Sequence, residues 1–432
     1  MSKNSWKAFI ALIRREVVPA LGCTEPICLA LAAARAAEAL GREPERLIAF
    51  VSANLYKNGM GVAVPGTGMT GLEIAAGVGA LGGQSALGLE VLRDITKAHV
   101  QRAKEMIRRK QLLVGLEETE ELIYARVELA AGDDSAMCVI AREHAAIVIV
   151  ERNGRQLFSA PWPGEAAADR QWPLSITAIH RFATAAPMKM ISFILESAHL
   201  NEKVAQAGMD AEWGLKVGRS MQNDILTGLR ADDIASLAIK LTAAASDARM
   251  AGITQPVMSN SGSGNQGIAA TIPVVAFARR LGAGDEKLAR ALIMSHLTAI
   301  HLKHYLGRLS ALCGAILAAS GSACGIVMLL GGGMTEIDHT IRNMIGSIAG
   351  MVCDGAKTSC ALKVATAVEA GINAALLGMK GISVPGKEGI LDDDLETCIK
   401  NLGQLGSDGM VQTDKIILDI MTTKSAPPRD SR

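Results

Sequence analysis

The sequence predicts an α+β fold: N-terminal helices with a small antiparallel sheet over residues 1–165, followed by a mostly all-α domain over residues 166–432. Three observations carry this reading. Between Leu122 and Ala160, apolar runs such as Tyr124-Ala125-Arg126-Val127 and Ile147-Val148-Ile149-Val150 are separated by Gly132-Asp133-Asp134 and Asn153-Gly154, the signals of a strand meander. Composition shifts at Pro161-Trp162-Pro163-Gly164, and from about residue 173 onward nearly every pattern is helical. The length of 432 residues is enough for two domains.

In chain order, Phe9, Ile10, Leu12, Ile13, Val17 and Val18 recur at helical spacing until Pro19. The turn Leu21-Gly22-Cys23-Thr24-Glu25-Pro26 follows, then an Ala/Leu-rich helix to about Gly41. A cysteine just ahead of a helix can have its thiolate favoured by the helix N-terminus, so Cys23 is a candidate reactive thiol; the alternative is a small buried residue at a helix junction. Glu25 fits a first-turn acid that complements the helix dipole, and Cys28 fits packing. Residues 47–56 read as a strand. The stretch from Lys57 to Met69 holds four glycines with Asn58 and Thr67, a loop whose amides can approach a small anion or simply a tight connection. It lacks a Gly-Lys-Ser/Thr ending and so is no Walker loop. Helical patterns return over 71–82 and 86–112, and Cys138 fits the core of a strand.

Composition narrows the function. Lys+Arg 44 against Asp+Glu 43 leaves a formal charge of +1 and no basic excess to hold a nucleic acid. The N-terminus shows no secretory pattern, which predicts a cytoplasmic protein, and eight cysteines in so long a chain read as free thiols or metal ligands. From Leu309 to Thr335 there is no charge, but six glycines and three serines break up the stretch, so it reads as a buried helix and not a membrane span.

In the second half, Gln255 to Gly267 is rich in hydroxyls and amides without charge. Ser261, Ser263 and Asn265 could hydrogen-bond a zwitterion there, or the stretch could be an ordinary connection. The helix that follows carries His296, His301, Lys303 and His304; Lys303 could serve as a base, bind a carboxylate or form a Schiff base, though no accompanying feature demands pyridoxal phosphate. Then come Cys313, Cys353 and Cys360, separated by residues that are almost all small or apolar. Seven residues are close to two helical turns, so a helix through Cys353 and Cys360 would put both on one face, where a third thiolate from a neighbouring helix could meet them. Three soft ligands suit iron and sulfide, and three cysteines on a four-iron cluster leave one iron open; the alternative is three packed thiols. Cys324 and Cys398 fit packing.

Gly22-Cys23-Thr24-Glu25-Pro26, the Asn58–Gly68 loop, Ser259–Gly267, Leu312-Cys313-Gly314-Ala315 and Cys353-Asp354-Gly355-Ala356-Lys357-Thr358-Ser359-Cys360 together resemble the L-cysteine desulfidase family, a relative of the iron-sulfur L-serine dehydratases. The resemblance spans nearly the whole chain. It implies that Cys313, Cys353 and Cys360 ligate a [4Fe-4S] cluster in an all-α catalytic domain. It implies that Cys23 is the base, with Lys303 or a nearby histidine second. It implies that Thr24, Glu25, Asn58, Gly66, Thr67, Ser261, Ser263 and Asn265 hold a small amino-acid substrate. The Ser-Ser-Ser-His-Thr motif of the serine enzymes is absent, with Gly22–Pro26 as its counterpart, and no terminal cysteine follows Cys398; both departures favour the desulfidase branch. Serine dehydratase and a non-catalytic iron-sulfur sensor are the alternatives. A homodimer without nucleic-acid or membrane partners completes the expectation.

Overall fold

A computed structural model describes residues 3–163, 174–307 and 310–425. The chain begins with α1 (Lys3–Glu16), β1 (Pro19–Ala20), α2 (Thr24–Leu40), β2 (Arg46–Val51), α3 (Ala53–Gly59), β3 (Ala63–Val64), β4 (Met69–Thr70), α4 (Leu72–Gly82) and α5 (Lys97–Arg108). The strands β5 (Leu112–Leu116), β6 (Tyr124–Ala131), β7 (Asp134–Ala141), β8 (Ile147–Arg152) and β9 (Arg155–Ser159) follow. Next come α6 (Ile176–Ala185), α7 (Met188–Ile191), α8 (Leu195–Asp210), α9 (Val217–Leu226), α10 (Ile234–Met250) and the short strand β10 (Val257–Met258). The chain ends with α11 (Gly264–Arg280), α12 (Asp285–Leu306), α13 (Gly314–Leu329), α14 (Met334–Ile348), α15 (Cys360–Gly378), α16 (Leu395–Ser407) and α17 (Val411–Ser425). The α+β class read from the sequence is the one observed. The boundary expected near residue 165 lies outside the described residues.

Alternation of side chains orients the sheet. Leu47, Ala49 and Val51 of β2 and Ala125, Val127, Leu129 and Ala131 of β6 are buried, and a period of two puts each set on one face. That face packs under α2, with α4 and α5 completing one apolar cluster. The strand order is β5-β2-β6-β7-β8-β9. The meander from β6 to β9 is antiparallel, as expected, and β2 pairs antiparallel with β6, but β5 joins the edge parallel to β2.

Two local expectations change with this. Residues 86–112 do not form one helix: only Lys97–Arg108 is α-helical there, and β5 starts at Leu112. A parallel neighbour needs a long crossover, and the chain between Val51 and Leu112, with α3, α4 and α5, supplies it. The strand over 47–56 ends at Val51 because Ser52 caps α3. Its Oγ accepts from the Leu55 amide at 3.4 Å and donates to the Leu122 carbonyl at 2.9 Å.

The second cluster is helical, and α1 belongs to it: Phe9 meets Phe182 edge-on at 5.4 Å, beside Leu12 and Ile13. β1 then pairs with β10, Pro19 opposite Met258 and Ala20 opposite Val257, which holds the start of the chain against the middle. The uncharged stretch becomes α13, buried from Ala315 to Val327 among α11, α12, α14 and α15. Among the described residues one helix, Cys360–Gly378, is long and apolar enough to cross a membrane by length and composition, and half of it is buried within the protein.

Small residues let α12 and α13 approach closely, which sets the position of the Cys313 end of α13. A Cβ on Gly321 would stand 2.3 Å from the Ser295 carbonyl oxygen on α12. Gly321→Ala is therefore expected to lower stability by about 1–3 kcal/mol. Denaturant unfolding checks this, and a loss within a few tenths of the wild type would contradict the packing described.

Candidate active site

Four helices direct their N-termini at one small cavity of about 110 Å³. Cys23 is the N-cap residue of α2, Ser263 that of α11 and Cys313 that of α13, while Cys360 is the first residue of α15. All four residues line the cavity. Unpaired amides and the macrodipole make each such end partly positive, so together they favour negative charge at the point where they converge.

The three cysteines expected as ligands meet here, but not by the route the spacing suggested. Cys353 is not helical: α15 starts only at Cys360, and Gly355, at φ 93, turns the chain between them. Asp354 fastens this turn by accepting from the ammonium groups of Lys357 and Lys363. Cys313 and Cys353 are instead joined through an antiparallel bridge, Leu312 opposite Val352, with the Cys313 amide donating to Met351 at 2.8 Å and the Cys353 amide to Ala311 at 2.7 Å. The two thiols act on each other: Cys313, against the effect of burial and aided by Lys57, holds Cys353 below the usual thiol range, while Cys353 and burial push Cys313 well up. Burial first, then the negative charge of Cys353, raises Cys360.

Among the described residues, no group of three His, Cys, Asp or Glu side chains gathers tightly enough to hold a single metal ion. A cluster asks something different of its ligands. Each cysteine binds its own iron, so the sulfurs must surround a volume rather than share one point. Three cysteines from separate segments on the wall of one cavity match that donor chemistry.

Cys23 and Glu25 form a second group. The Cys23 thiol donates to Glu25 Oε2 at 2.9 Å, and the Thr24 hydroxyl donates to the same oxygen at 3.1 Å. Burial opposes the charge on Glu25, but His144 and the Cys23 thiol outweigh it and hold the carboxyl below its usual range; burial and Glu25 together push the Cys23 thiol well up. The proton therefore rests on sulfur, aimed at a carboxylate.

Thr24, Glu25, Asn58, Ser261, Ser263, Asn265 and Lys303 line the same cavity. Gly66 and Thr67 do not. Thr67 closes the β3–β4 turn instead, its hydroxyl donating to the Val64 carbonyl at 2.8 Å and accepting from the Met69 amide at 3.1 Å. The sequence reading also missed Arg249, Gln266 and His144, which line the cavity. Arg249 looks like an ordinary base in the last turn of a helix, and His144 like a loop residue between strands. Gln266 falls in the amide-rich stretch already noted, and only a residue-by-residue reading of that stretch could have found it.

Residues 86–419 match the family model described as serine dehydratase alpha chain. The chain belongs to that family. Relatives named UPF0597 protein share 56% identity over 426 residues in Oleidesulfovibrio alaskensis, covering 98% of this chain and 100% of the relative. The one in Parabacteroides distasonis shares 47% over 420 residues, with 96% and 98% covered, and the one in Aeromonas hydrophila 46% over 426 residues, with 98% and 97% covered. The family resemblance drawn from the motifs holds at this level, and serine dehydratase alpha chains place the chemistry among the lyases.

In this family member a buried polar network fixes the Ser259–Gly267 loop. The Asn260 side chain contacts His296 Nδ1 at 3.0 Å, the His296 Nε2 meets the Thr271 hydroxyl at 3.2 Å, and Asn201 bonds the Met258 and Gly267 carbonyls at 3.2 Å. Burial lowers His296 to about 3, so it is neutral in the folded protein at neutral pH. A histidine whose folded pKa lies below its unfolded value adds stability above the unfolded pKa and loses it as pH falls. Between pH 6.5 and 5 this residue should cost the fold about 2 kcal/mol. Urea unfolding at both pH values should show a loss of that size in the wild type and a flatter profile in His296→Gln; equal profiles would contradict a buried neutral histidine.

Proposed function

We propose that the chain is an iron-sulfur-dependent carbon–sulfur lyase that eliminates hydrosulfide from L-cysteine to give pyruvate, ammonia and sulfide. The observation that carries the reading is the meeting of Cys313, Cys353 and Cys360 with the Cys23–Glu25 pair on one cavity. Cys313, Cys353 and Cys360 would hold a [4Fe-4S] cluster, which, with three cysteine ligands, supplies one open Lewis-acid iron for the substrate sulfur.

The rest of the chemistry falls to the chain's own side chains. Glu25, which orients the Cys23 thiol, first takes its proton, and the Cys23 thiolate so formed takes the proton from the substrate Cα; Lys303, on α12, is the second proton-transfer group. Loss of the Cα proton and of hydrosulfide from Cβ leaves aminoacrylate, which tautomerises and takes up water to yield pyruvate and ammonia. Thr24, Asn58, Ser261, Ser263 and Asn265 surround the substrate. All eight cysteines are free of disulfides, in keeping with a cytoplasmic location, and a homodimer is part of the same reading.

A second reading has a specific support. The family match is to serine dehydratase alpha chains, and an open iron can activate a hydroxyl as well as a thiol. Side-by-side assays of L-cysteine and L-serine on anaerobically purified, reconstituted protein separate the two: sulfide with pyruvate from cysteine is expected, and pyruvate from serine alone would move the assignment to the dehydratase. About four irons per chain are expected in the wild type, and protein that stays iron-free and inactive after reconstitution would overturn the reading. Cys353→Ser should lose iron and activity together. Cys23→Ala should keep its iron while kcat falls by about 10²–10⁴-fold; an unchanged kcat would remove Cys23 from the mechanism.

A further inference from the structure

The reading above leaves one charge unaccounted for. Arg249, in the last turn of α10, is 3% exposed and lines the cavity. Its Nη2 donates to the Gly22 carbonyl at 3.0 Å, but its Nε has no hydrogen-bond partner, and no carboxylate among the described residues forms an ion pair with it. A buried guanidinium that feels Glu25 across the cavity but has no ion pair of its own is costly unless an anion completes it. The fold makes room for this group: a Cβ on Gly264, at the N-terminus of α11, would stand 2.2 Å from Arg249 Nε.

Two buried acceptors belong to residues of the same wall. Asn58 Oδ1 and Gln266 Oε1 both lack partners, and both residues line the cavity. A simple anion would satisfy the arginine and repel these oxygens. A zwitterion satisfies all three.

We propose that Arg249 anchors the α-carboxylate of the substrate while the Asn58 and Gln266 side-chain oxygens accept from its α-ammonium group. The site thereby selects small α-amino acids with a free carboxylate and a free amine. A cavity of about 110 Å³ has room for a short side chain only, well below the roughly 300–1,000 Å³ of drug-sized sites. The assignment rests on the amino-acid lyase reading. It moves the carboxylate away from the Gly66–Thr67 turn and onto a residue that also bonds Gly22, next to Cys23, so the anchor and the proton-transfer pair share one turn.

The test uses full-length, reconstituted protein and two unreactive probes, L-alanine and L-alaninamide, titrated by calorimetry. Wild-type protein should bind alanine about ten- to a hundred-fold more tightly than alaninamide, the range of a hydrogen bond to a charged group. Arg249→Lys, which keeps the charge but not the planar fork, should abolish that preference without changing alaninamide binding. Asn58→Ser should weaken both probes equally and leave their ratio intact. Equal binding of the two probes to the wild type, no saturable binding of alanine, or an undiminished preference in Arg249→Lys would each overturn the assignment. The probe comparison on wild type stands even if the arginine variant fails to fold. Sulfide release from cysteine with no preference between probes would sink this inference and leave the lyase reading standing. An Arg249-dependent preference in protein that turns over neither cysteine nor serine would do the reverse.

Discussion

The convergence of four helix N-termini on one buried space is the constraint from which the rest of the site follows. Partly positive ends brought together repel one another unless the enclosed space holds negative charge. The lining side chains reinforce the bias: Arg249 and Lys303 are basic, and among the described residues Glu25 is the only lining carboxylate. Acids pair with the other lysines around the wall, Asp354 holding Lys357 and Lys363, and Asp414 holding Lys57, which is itself 2% exposed. What remains inward is a field suited to thiolates and to one carboxylate.

That field is held in place by apolar packing and by a polar network that never reaches solvent. Gly321 lets α13 lie against α12, so that Lys303 and Cys313 arrive together from adjoining helices. Asn260, His296, Thr271 and Asn201 satisfy one another and the backbone around β10, and β10 in turn pairs with β1 directly before the Cys23 turn. The amide-rich loop is therefore anchored on both sides, and the Ser261 amide bonds the Glu16 carbonyl at 2.9 Å. Buried polar groups that are mutually satisfied fix one arrangement where an apolar core would tolerate several.

Much of this was legible in the sequence because it depends on local pattern. The meander announced itself through Gly132-Asp133-Asp134 and Asn153-Gly154, and α13 through an uncharged run of small residues. What escaped depends on contacts far apart in the chain. Leu112–Leu116 becomes a strand because β2 offers it an edge, and nothing local says so. Cys353 and Cys360 fit a helical spacing, yet Gly355 at φ 93 and the two lysines on Asp354 break the helix between them. Arg249 was invisible for a similar reason: a base in the last turn of a helix has a sufficient local explanation, and only the tertiary fold shows its guanidinium inside the protein.

The placement of Asp414 has a consequence for how the protein is made. The cavity draws on Cys23, Asn58, Arg249, Cys313 and Cys360, and the lysine behind its wall is held by a residue of α17. During synthesis from the N-terminus these wall segments emerge one after another, and Asp414 emerges after all of them. The space is therefore enclosed and braced late in folding, once the segment through Asp414 has been made.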